Sequence, residues 1–114
     1  MTQEEQARLN HRMGRNCAQS VYAAFAEQLG ITPEEAMRRA PMPRALGGQC
    51  GAYLAGRAVL AQLKTNAVDD YERAFTGLNG EKHCSILVAS HRLLHKKCND
   101  YVGDAARMTE AALK

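Results

Sequence analysis

Apolar positions recur at helical spacing along most of this chain, and strand signals are absent. Thr2-Gln3-Glu4-Glu5 has the capping-box order, with Thr2 as cap and Glu5 three residues on. Asn16-Cys17-Ala18-Gln19 repeats that logic; Val21, Ala24, Phe25 and Leu29 then keep mostly helical spacing until Gly30 supplies a stop. Thr32-Pro33-Glu34-Glu35 joins a cap, a first-turn proline and a capping glutamate, and Pro41 and Pro43 end the short helix that it starts. Leu46 to Lys64 reads as a helix in spite of its glycines. Val68 to Phe75 reads as another, closed by Gly77 and the Asn79-Gly80 turn. Cys84 to Lys97 and Asp100 to Leu113 complete the set, the last capped by Asn99. The expected fold is all-α, a small helical bundle of five to six helices in one domain over residues 1–114.

Two stripes of small residues run along the Leu46–Lys64 segment: Gly48, Ala52 and Gly56, beside Gly47, Gly51 and Ala55. Each glycine costs a helix about 1 kcal/mol against alanine, so the stripes call for a tertiary reason. Close packing of another helix is favoured over the approach of a flat ligand. Composition agrees with close packing. Hydrophobic residues make up 46% of the 114, yet aromatics are only 5% and tryptophan is absent. A core so poor in large side chains needs closely packed helices or a second subunit, so a homodimer enters as an expectation.

Charge narrows the partners. A net charge of +3, without aromatics interleaved among the basic residues, gives no footprint for nucleic acid. Arg38, Arg39 and Arg44 read as a solvated basic spot, and Asp69 and Asp70 point apart on a helix, a poor carboxylate pair. The acidic start Met1-Thr2-Gln3-Glu4-Glu5 is not followed by an apolar run, so no secretory signal is expected. The longest uncharged runs, Asn16–Ala26 and Ala45–Gly56, fall short of the ~20 apolar residues of a membrane span. A cytoplasmic setting follows as the expectation, and there cysteines serve redox or metal chemistry more readily than structural disulfides.

The four cysteines, Cys17, Cys50, Cys84 and Cys98, are the candidate catalytic residues. Each falls near a predicted helix start, where unpaired N–H groups and roughly half a positive charge favour thiolate. None belongs to a Cys-x-x-Cys pair, so neither a thioredoxin motif nor a zinc ribbon is present. On an unbroken helix Cys84 and Cys98 would be about 21 Å apart at about 1.5 Å per residue, whereas a disulfide needs Cα atoms within about 7 Å. Two connectivities then stay open: Cys17–Cys84 with Cys50–Cys98, or Cys17–Cys98 with Cys50–Cys84. The same distance weighs against one four-cysteine zinc site. His91 and His95 share a helical face, but with Arg92, Lys96 and Lys97 they read better as cations at a helix C-terminus than as metal ligands. His83 beside Cys84 is a candidate proton partner, although a surface histidine next to a turn is the commoner case.

Gly14-x-Asn16-Cys17-Ala18-Gln19, then Gly47-Gly48-x-Cys50-Gly51-Ala52, two later single cysteines, and Cys98-x-x-Tyr101-Val102 with Ala105 form a combined pattern. It resembles a bacterial and archaeal redox-active family named for its C, GCAxxG, C, C order, over nearly the whole chain from Gly14. The resemblance implies a small all-helical protein, four retained cysteines, a redox role and a functional link to transporters. Two departures stand out. The order is Cys50-Gly51-Ala52 instead of Gly-Cys-Ala, and three residues after Ala52 stands Ala55, with Gly56 one later, so either Ala55 substitutes for the closing glycine or the helix packs in an altered register. The stretch between Cys50 and Cys84 is also short for the family.

The leading expectation is thiol–disulfide redox chemistry with a partner protein or a small thiol, without a cofactor. Cys50, flanked by glycines, is the first choice of reactive thiol, and Cys84 or Cys98 its resolver. An iron–sulfur or zinc module built on the same sulfurs is the second reading. A non-catalytic helical interaction protein with buried cysteines is the third.

Overall fold

A computed structural model describes residues 2–41, 51–79 and 98–114 of the chain. The described residues are helical and contain no strand: α1 (Gln3–Arg12), α2 (Cys17–Ala24), α3 (Ala26–Leu29), α4 (Pro33–Arg39), α5 (Gly51–Leu63), a 3-10 turn at Thr65–Ala67, α6 (Val68–Asn79) and α7 (Cys98–Leu113). The all-α bundle read from the sequence is the fold observed.

The helix starts obey their caps. The Thr2 hydroxyl accepts from Glu5 N–H at 3.1 Å, while the Glu5 carboxylate accepts from Thr2 N–H at 3.3 Å. Asn16 and Gln19 repeat the exchange at 2.8 and 3.3 Å. Thr32 caps α4, with Pro33 in the first turn. Gly30, at φ 72°, closes α3 with a Schellman motif: Ile31 N–H reaches Ala26 C=O and Gly30 N–H reaches Glu27 C=O.

Three boundaries differ from expectation. The segment from Cys17 to Leu29 is two helices, because at Phe25 the N–H turns to Tyr22 C=O at 3.1 Å, a tighter i−3 bond. Phe25 is fully buried at that break. α6 continues through Gly77 to Asn79, since nothing crowds Gly77 and its φ is not positive. Asn99 is not the cap of the last helix: α7 starts at Cys98, and the Asn99 side chain is used elsewhere. The predicted helix over Cys84–Lys97 and the glycines Gly47 and Gly48 lie outside the described residues, as does the Gly80 turn.

The core is built from α1, α2, α5, α6 and α7. Val21, Phe25, Tyr53, Leu60, Tyr71, Phe75 and Val102 supply its bulk, and alanines fill the gaps between them. Gly56 explains one small-residue stripe. A Cβ there would overlap the Thr109 hydroxyl and the Tyr71 phenol, so glycine lets α6 and α7 close on α5. Ala55, on the neighbouring stripe, is fully buried. α7 packs on both α1 and α5, which carries its first turn to the C-terminal half of α1.

Candidate functional site

Two sequence signals place Cys17. α1 ends in a Schellman motif around Gly14, φ 99°: Arg15 N–H bonds Asn10 C=O at 3.2 Å and Gly14 N–H bonds His11 C=O at 3.1 Å. The Asn16 cap then starts α2 at once, so Cys17 is its first residue. The reversal folds α2 back along α1, held by Asn10, whose amide donates to Ser20 C=O at 3.1 Å. Half-buried Cys17 thereby comes to rest with its Sγ 3.8 Å from His11 Nε2.

The other side of His11 meets the start of α7. Asn99 Nδ2 lies 3.3 Å from His11 Nδ1 and donates to Arg8 C=O at 3.0 Å. The Arg8 guanidinium returns the contact through Nη1, donating to Asn99 Oδ1 at 3.2 Å, to Asn99 C=O at 3.3 Å and to Asp100 Oδ1 at 3.0 Å. Glu4 holds the opposite edge of the same guanidinium, with Oε2 3.1 Å from Nε. Burial alone would lower the Arg8 pKa; the bonds to Asp100 and Glu4 reverse that and raise it, so the cation is fixed. Gly103, one turn along α7, makes room, since a Cβ there would overlap the guanidinium.

Cys98, which directly precedes Asn99, is a half-buried free thiol at the first position of α7. The structure thus sets two of the four cysteines at helix N-termini, Cys17 beside His11 Nε2 and Cys98 next in sequence to the Asn99 that meets His11 Nδ1, and no disulfide joins the two. Cys50 and Cys84 lie outside the described residues, and so do His83, His91, His95 and Arg44. The open setting expected of Cys50 and the exclusion of a Cys84–Cys98 bond both rest on those residues. Among the described residues no group of three metal-ligating side chains is present. No described helix is long and apolar enough to cross a membrane. Arg38 and Arg39 pair with Glu35 on an exposed face of α4, as a solvated spot should.

His11, Arg8 and Asn99 were not legible as site residues. His11 had one signal, its place just before the glycine turn that returns the chain to Cys17. Burial holds its pKa below the usual histidine value, which keeps the ring neutral near pH 7.

Comparison with known proteins adds one finding. A family model described as "Putative redox-active protein (C_GCAxxG_C_C)" matches residues 15–112. No curated protein and no solved structure matches the chain.

Proposed function

The chain belongs to the C_GCAxxG_C_C redox-active family, and on that premise we propose that it is a thiol–disulfide exchange protein in which Cys17 attacks and Cys98 resolves. Cys50 and Cys84 are the second pair. The observation that carries this reading is the junction of α1, α2 and α7. It sets Cys17 on a helix N-terminus beside the His11 ring, and it brings Asn99, which follows Cys98 at the start of α7, to the same ring.

The chemistry balances without a cofactor. The Cys17 thiolate attacks one sulfur of a substrate disulfide; a Cys17–substrate S–S bond forms, the substrate S–S bond breaks, and the electron pair leaves on the second substrate sulfur, which takes a proton from water. The Cys98 thiolate then attacks Cys17 Sγ and releases the first substrate sulfur as a thiolate. The substrate gains two electrons, and the protein is left with a Cys17–Cys98 disulfide. A small thiol or a dithiol protein returns it to the reduced state. Cys17 opens α2, and the partial positive charge of a helix N-terminus, which favours an anion, supports it as the attacking sulfur.

Trapping tests the order of attack. Cys98→Ser, treated with an aromatic disulfide, should accumulate a mixed disulfide on the Cys17 peptide, whereas Cys17→Ser should form none at Cys98 at a comparable rate. Equal trapping at both positions would contradict the assignment.

A further inference from the structure

We propose that His11 is a positioning residue locked by Asn99 and Arg8 into the tautomer whose Nε2–H donates to the Cys17 sulfur, a role that rests on the thiol-exchange reading above. The lock follows from donor and acceptor accounting. Arg8 Nη1 has only protons to offer, so the Asn99 atom facing it is the oxygen; Arg8 C=O has only lone pairs, so the Asn99 atom facing it is the NH2. Turning the amide over would set two donors against each other on one side and two acceptors on the other. With the amide so fixed, its nitrogen also faces His11 Nδ1. Nδ1 therefore accepts and carries no proton. A neutral imidazole has one N–H, and it must be on Nε2, the atom facing Cys17 Sγ.

Two consequences separate this from a cysteine–histidine pair that transfers a proton. Nε2 already bears its hydrogen, so His11 does not take the Cys17 proton, which leaves to water. Nor does His11 become an imidazolium easily, because a second proton on Nδ1 would meet the Asn99 NH2. His11 instead favours the thiolate as a neutral donor, since a sulfur anion accepts a hydrogen bond more strongly than a thiol does. Among the described residues, the Arg8 guanidinium that holds Asn99 is itself paired with Glu4 on α1 and Asp100 on α7. The sequence link is equally specific. Asn99 adjoins Cys98, so a change in the Cys98 turn displaces the group that sets the His11 tautomer.

The test is the pH profile of Cys17 alkylation by iodoacetamide, followed by peptide mass in the full reduced chain. His11→Leu should raise the midpoint by about one pH unit, about tenfold less thiolate near neutrality. His11→Gln carries an amide N–H the same number of bonds from Cβ as Nε2 and should restore most of the reactivity. Gly103→Ala, which touches neither Cys17 nor His11, should displace the Arg8 guanidinium and shift the midpoint the same way by a smaller amount. Circular dichroism confirms that each variant is folded. An unchanged midpoint in folded His11→Leu overturns the proposal. Glutamine failing as leucine does would make His11 a base and overturns it too, and an unmoved Gly103→Ala profile removes the lock. Disulfide formation in the unaltered protein, measured separately, reports on the exchange reading and not on His11.

Discussion

Gly56 and Gly103 do the same geometric work in two regions that differ in every other respect. At Gly56 the absent Cβ admits the Tyr71 phenol and the Thr109 hydroxyl to the face of α5. Both are fixed: Tyr71 donates to Tyr53 C=O at 2.8 Å, Thr109 donates to Ala105 C=O at 2.7 Å, and the rings of Tyr53, Tyr71 and Phe75 pack with centroids 5.3 to 6.4 Å apart. At Gly103 the absent Cβ admits the end of a flexible, half-buried arginine. The aromatic region holds the bundle together. The arginine region orients a histidine toward a thiol. The difference teaches that one small-residue device serves stability where its neighbour is immobile and chemistry where its neighbour can swing away.

Equal substitutions should therefore have unequal effects. Gly56→Ala overpacks a buried contact that cannot yield and should cost about 1–3 kcal/mol, read as a lower midpoint in urea with little change in slope. A near-neutral result would mean that the aromatic region is looser than its hydrogen bonds imply. Tyr71→Phe leaves the ring in place and removes one buried hydrogen bond, and should cost about 1 kcal/mol by the same unfolding measurement. Gly103→Ala should change stability least: the better helix former contributes up to about 1 kcal/mol, which offsets the loss of half-exposed Arg8 pairs worth about as much. Its effect belongs in Cys17 reactivity.

The histidine gives a pH signature confined to the arginine region. Burial depresses the His11 pKa in the folded state, so the unfolded chain binds that proton first as pH falls below about 6.5. This part of the stability is complete above that value and is lost as pH falls toward the lower folded value. His11→Gln should flatten the slope between pH 7 and 5, and Gly56→Ala should leave it unchanged.

The two regions were unequally legible. Helices α1, α2 and α4 could be read from Thr2, Asn16, Thr32 and Pro33, because caps act within three or four residues and need no knowledge of the fold. Gly56 was legible as a packing position, since spaced small residues signal close approach whatever the partner. The break at Phe25 was not, because the apolar spacing around it is the same in one helix or two. The arginine region was hidden for a different reason. His11 and Asn99 meet across 88 residues, and Asn99 ahead of an apolar helix looks like a cap. Cys17 was read correctly as lying at a helix start, but only the Gly14 reversal in three dimensions gave it a histidine.

In the proposed exchange Cys17 and Cys98 form a working pair. Equilibrating the protein in glutathione buffers of stepped redox ratio, trapping thiols with acid and mapping disulfide peptides tests it most directly. A Cys17–Cys98 cross-linked peptide should appear in a two-electron titration. Cys17 found bonded to Cys50 or Cys84, or remaining a thiol at every ratio, would contradict it.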